Sequence, residues 1–177
     1  MDFLQVDRKL VDAIQAGTSA GFMMSGVEPA AVGVSRLAPH SQEIAVLVGL
    51  AGRRSGTVTL LTSRRAAVYI ASRFLGCEHA EAEQEMRNAQ VELSLIREDI
   101  FDAISEIANI IAGTVKEKLE DCGVANISCP SIIFGADYNM YHFKGFDTAS
   151  IEYEIKEIPQ FFFMDRYIGV VISLSSS

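Results

Sequence analysis

Apolar positions recur at helical spacing over residues 5–26, where Leu10, Ile14 and Phe22 stand among small residues. That pattern predicts a first helix. The stretch VEPAAVGVSRLAPHS (27–41) is punctuated by Pro29 and Pro39 and reads as a connector. IAVLVGL (44–50) and GTVTLLT (56–62) are rich in β-branched residues and predict two strands joined by the hairpin loop AGRRS. SRRAAVYIASRFLG (63–76) opens on Ser63, a helix N-cap candidate, and closes on Gly76. A further helix is expected over 80–97, and a long one over 99–122 with Gly123 as its stop. ISCPSIIFG reads as a strand, with Pro130 marking an edge or a strand start. SIEYEIKEI (150–158) alternates strictly, with Ile151, Tyr153 and Ile155 on one face and Glu152, Glu154 and Lys156 on the other. QFFFMDRYIGVVISL resembles two strands meeting at Asp165–Arg166, and 173–177 is expected to fray. The class is α+β: an antiparallel or mixed sheet with long helices packed on one face.

An internal echo runs through this pattern. VDAIQAGTS (11–19) aligns with FDAISEIAN (101–109), so that Asp12-Ala13-Ile14 matches Asp102-Ala103-Ile104. A strand–loop–strand pattern follows each helix, which suggests a pseudo-twofold α–β–β repeat. In the first copy Ala16 stands in place of Glu106 and Ser19 in place of Asn109.

The length of 177 residues suits a single domain over 1–177, with an acidic helical insertion at about 78–98. A chain of this size removes about 70% of its unfolded surface from water, enough for a core without disulfides or metal. No apolar run reaches membrane-span length, and the N-terminus MDFLQVDRKL has no secretory pattern. Three cysteines without a CxxC spacing fit buried free thiols in a reducing cytoplasm. Of the net charge of −8, most sits at 78–106, where nine acids face only Arg87 and Arg97. Such a face repels nucleic acid and suits a partner with basic groups. GLAGRRSG (49–56) lacks the Lys-Ser/Thr of a phosphate loop, and Cys77-Glu78-His79 is too compact for a metal site.

Candidate chemistry sits on the long helix, in FDAISEIANIIAG (101–113). Taking about 100° per residue and Asp102 as zero, Glu106 falls near +40°, Asn109 near −20° and Gly113 near +20°. Ile100, Ile104, Ile107 and Ile111 fall on the opposite side and must be the core face. The Asp–Glu–Asn–Gly stripe therefore points outward. A carboxylate there can pair with a cation, an amide can orient a water, and a glycine lets another chain come close. Asn is also a poor residue for a helix interior.

DAISEIANIIAG resembles the CheX/CheC/FliY group of chemotaxis phosphatases, whose signature is Asp or Ser, Glu four residues on, Asn three further, and a downstream proline. The matching positions are Asp102, Glu106, Asn109 and Pro130. GRRSGTVTLLTSRRAAVYIASRFLG and CPSIIFG extend the resemblance, and the single signature makes it most similar to CheX. The resemblance implies hydrolysis of the aspartyl phosphate of a CheY-type receiver domain. It implies that Glu106 pairs with the receiver lysine and Asn109 orients the attacking water, with Asp102 and Gly113 supporting the docked partner. It also implies a cytoplasmic homodimer with no cofactor of its own, the Mg²⁺ belonging to the receiver. A non-catalytic CheX-like adaptor, or a plain dimerisation domain, would carry the same pattern.

Overall fold

The computed structural model describes residues 7–35, 43–89, 97–135 and 145–176. Its helices are α1 (Arg8–Phe22), α2 (Arg64–Phe74), α3 (His79–Asn88) and α4 (Glu98–Lys118). Its strands are β1 (Ala30–Ser35), β2 (Ile44–Gly52), β3 (Gly56–Thr62), β4 (Val124–Ile127), β5 (Ser131–Phe134), β6 (Phe146–Glu154) and β7 (Tyr167–Ser175). They form one antiparallel sheet in the order β1-β6-β7-β3-β2-β4, with β5 also paired to β2. Alternate residues of the long strands, among them Val46, Val48, Leu60, Ile151, Val170 and Ile172, meet the helices in one main core. Ala45, Leu61 and Val171 form a smaller buried cluster on the alternate strand positions.

The internal repeat is real in this architecture. Displaced by ninety residues, the buried positions of α1 and α4 coincide: Leu10 with Ile100, Ala13 with Ala103, Ile14 with Ile104, Gly17 with Ile107, Gly21 with Ile111. The sheet shows the same relation. The central neighbours β3 and β7 come one from each half, and the outer strands cross over, β1 pairing with β6 and β4 and β5 with β2. Each half thus completes the sheet of the other. The repeat is α–β–β–β rather than α–β–β, because residues 30–35 are a strand and not a connector. Pro29 stands just outside that strand, where its missing N–H costs no ladder bond, and Ala-Ala-Val-Gly-Val-Ser pairs along β6 through a bulge at Ala31/Gly33.

Three other boundaries differ from expectation. Residues 160–166 form a 3₁₀ segment, not a strand, because the Ile155 N–H donates to the Arg166 carbonyl at 2.7 Å and closes a loop there. Ser173–Ser175 belong to β7 instead of fraying, and the Ser176 N–H donates to the Gly145 carbonyl at 2.7 Å. The helix expected over 80–97 is α3, ending at Asn88; residues 90–96 lie outside the described residues. Ser63 caps α2 as expected, its hydroxyl accepting from the Ala66 N–H, and Gly76 adopts φ +91° beyond the helix end.

Candidate functional site

The site is built on α4. Acids Glu98 and Asp99 occupy its first turn and Lys116 and Lys118 its last, each complementing the helix dipole. After Lys118 the chain tightens into a 3₁₀ turn and stops at Gly123, whose φ of +94° is the left-handed conformation a C-terminal glycine supplies. Ile100, Ile104, Ile107 and Ile111 are buried, as the periodicity requires. Val68 and Ala71 of α2 pack against Ile100 and Ala103.

Across α1 the contact is closer still. A Cβ placed on Gly17 would stand 2.8 Å from the Ile111 carbonyl oxygen, and one on Gly21 would stand 2.6 Å from Ile111 Cγ1. Two glycines one turn apart let α1 lie directly on α4. The sequence carries them as GTSAG (17–21), two glycines at the four-residue spacing that lets helices approach closely. The helix bearing the candidate site is therefore clamped from behind by α1, α2 and the sheet.

On its outer side Asp102 and Glu106 are exposed, Asn109 is half-buried, and Gly113 shares their stripe. None of the first three makes a side-chain hydrogen bond or ion pair among the described residues. A Cβ on Gly113 would meet nothing within 4 Å. Its lack of a side chain thus leaves room for another molecule, and no close contact among the described residues requires it. Pro130 is half-buried on a different element, immediately before β5. It breaks the edge into β4 and β5, while Ser128 holds the break to β2 by two bonds of 2.9 Å with Gly49. β5 in turn meets α4 through the rings of Phe134 and Phe101, an aromatic contact the sequence reading did not anticipate.

The acidic segment has a structural as well as a surface role. In α3, Ala82 and Met86 are buried, and Glu78 and Glu81 form a capping box at its start. The Tyr69 hydroxyl and His79 Nδ1 are hydrogen-bonded at 2.8 Å, tying α3 to α2. Burial first, and the Glu157 carboxylate second, push the Tyr69 phenol up to about 12. Glu81 and Glu85 remain exposed, as do Glu98, Asp102 and Glu106, while Asp99 is half-buried. One arginine of the hairpin and one of α2 are paired within the fold: Arg54 pairs with Asp147 at 2.6 Å, and Arg65 pairs with Asp165 at 3.2 Å and stacks on Phe162. Among the described residues no group of three or more His, Cys, Asp or Glu could hold a metal, and no helix is long and apolar enough to cross a membrane.

Residues 90–154, which include Asp102, Glu106, Asn109, Gly113 and Pro130, match the family model of the chemotaxis phosphatase CheX. The chain is similar in fold to a chemotaxis protein CheX from Desulfovibrio desulfuricans, with a TM-score of 0.68 at 17% identity over 96% of this chain and 100% of that one. A CheC-like superfamily protein from Shewanella gives 0.70 at 13% identity, covering 97% and 100%. The structure of the CheX–CheY–BeF3–Mg²⁺ complex from Borrelia burgdorferi gives 0.65 at 20% identity, also covering 97% and 100%. No curated protein matches the chain in sequence. The resemblance to the CheX/CheC/FliY group thus holds in sequence over the segment with the candidate site and in fold over nearly the whole chain.

Proposed function

We propose that this protein is a CheX-like phosphatase that hydrolyses the aspartyl phosphate of a response-regulator receiver domain. The observation that carries the reading is the outward pair Glu106 and Asn109, one helical turn apart, without side-chain partners among the described residues, on a helix closely packed from behind. A related fold is known in complex with CheY.

The chemistry asks little of this chain. A water oxygen attacks phosphorus in line, the bond from phosphorus to the aspartyl oxygen breaks, and the products are the receiver's carboxylate and inorganic phosphate. The receiver contributes its own Mg²⁺ and lysine to neutralise the phosphoryl oxygens. Glu106 pairs with that lysine and fixes the dock. The Asn109 carboxamide holds the water on the line of attack, its oxygen accepting from the water, so its role is positioning. Asp102 adds a second carboxylate to the docking stripe, and Gly113 clears the space beside it. The acids of α3 and α4 draw a partner with basic groups and speed its encounter.

The wider organisation follows the same reading. The crossed-over strands leave no boundary between the halves, so we treat the chain as one domain with α3 as a docked insertion. A receiver partner places the protein in the cytoplasm. Val32 and Val34, exposed on the edge strand β1, supply an apolar edge suited to a homodimer.

Mixing the protein with a phosphorylated receiver and following inorganic phosphate tests the assignment. Accelerated release is expected, with Glu106→Ala weakening complex formation. Binding without release would support the CheX-like adaptor, to which the exposed acids of α3 are equally suited.

A further inference from the structure

The internal repeat serves as a control for α4, because α1 has the same buried positions and a different outer surface. Positions 11, 16, 19 and 23 hold Val, Ala, Ser and Met; their counterparts 101, 106, 109 and 113 hold Phe, Glu, Asn and Gly. Three of those four differences belong to the proposed site. The fourth, Phe101, precedes Asp102 and is half-buried. Its ring meets Phe134 edge to face, with centroids 5.2 Å apart and planes at 69°.

Phe134 is the last residue of β5 and is 43% exposed; its neighbour Ile133 is 42% exposed. Among the described residues β5 pairs with β2 alone. Phe101 falls about 100° from Asp102 around α4, next to the outward stripe. A body seated on Asp102, Glu106 and Asn109 and spreading toward that flank covers the exposed side of Phe134.

We propose that Phe101 and Phe134 form an apolar ledge that is the second half of the receiver-docking surface. The inference rests on the phosphatase reading. Its occupant is the receiver surface beside the phosphorylated aspartate, which must present an aliphatic or aromatic side chain there. The division of labour is physical. Exposed carboxylates steer a basic partner, but salt screens them and they hold it weakly. A buried aromatic contact lengthens the stay of the complex. Phe101 backs Phe134 and fixes its ring, so Phe134 is the contact residue and Phe101 a positioning residue.

The test is steady-state dephosphorylation over a range of phosphorylated receiver concentrations. Phe134→Ala is expected to raise KM on the order of tenfold, with kcat within about twofold of the wild type. Phe134→Leu, which keeps an apolar side chain, is expected to restore most of the loss. Should Phe134→Ala lower the unfolding midpoint, Phe134→Gln replaces it in the same assay. A KM within about twofold of the wild type, or a loss confined to kcat, overturns the ledge. Asn109→Ala run alongside separates the two ideas. Unchanged hydrolysis in that variant overturns the phosphatase reading itself. Lost hydrolysis there, with an unchanged KM in Phe134→Ala, overturns the ledge alone.

Discussion

Gly21 of α1 faces Ile111 of α4 so closely that a Cβ at residue 21 would stand 2.6 Å from Ile111 Cγ1. At Gly17 the obstacle is backbone, the Ile111 carbonyl oxygen at 2.8 Å, which cannot turn aside as a side chain can. Gly17→Ala must therefore push the two helices apart. Overpacking of this kind costs about 1–3 kcal/mol, while alanine's helix preference offsets up to about 1. A net loss of about 1 kcal/mol is expected in urea unfolding, read as a lower midpoint at unchanged slope. A gain in stability would show that α1 does not clamp α4 at that point.

The two sides of α4 should respond oppositely to alanine. Ile107 is fully buried, and Ile107→Ala is expected to cost about 2–5 kcal/mol. Glu106→Ala and Asn109→Ala remove no hydrogen bond or ion pair among the described residues and should shift stability by no more than about 0.5 kcal/mol. Replacing Asn by Ala in a helix even favours a small gain. Urea midpoints for the three variants check this, and a large loss in either outward variant would show that the stripe serves the fold.

Much of this was legible in the chain. The period of the isoleucines fixed which side of α4 is core, and the strict alternation of Ile151 and Tyr153 fixed the inward face of β6. Ser63 and Gly76 bounded α2 through local cap chemistry, which depends on neighbours in sequence. What was not legible depends on distant partners. Residues 30–35 are a strand because β6, more than a hundred residues on, offers them an edge. Gly17 and Gly21 are poor helix formers by propensity, and the reason for them lies in Ile111 on a helix ninety residues away. The edge of Phe134 against Phe101 follows from where β5 lands, and no local pattern announces it. The outward stripe was readable because helical spacing alone brings Asp102, Glu106 and Asn109 into line.

Tyr69 provides a test of the joint between α2 and α3. Its phenol is pushed up from 10 to about 12, so the folded state holds the proton more tightly than the unfolded state does. The contribution is complete below pH 10 and is lost as pH rises through 12. Alkaline titration of phenolate absorbance, compared with Tyr69→Phe, should show one tyrosine titrating late. If the difference curve is centred near the ordinary value of 10, the phenol is not held by this joint.

The repeat makes a further prediction. On α1 the positions of Glu106 and Asn109 hold Ala16 and Ser19, and Met23, 75% exposed, stands where α4 has Gly113. One working surface per chain is expected. Asp12→Ala and Ser19→Ala should leave receiver dephosphorylation within about twofold of the wild type. A large loss in either variant would mean that α1 also docks the partner.

The most direct measurement is single-turnover dephosphorylation of a receiver by saturating Asn109→Ala protein. The account predicts that the stimulated rate falls to the receiver's own, by at least about a hundredfold, while the complex still forms. Stimulated hydrolysis at the wild-type rate would contradict it, because the amide at 109 would then have no water to hold.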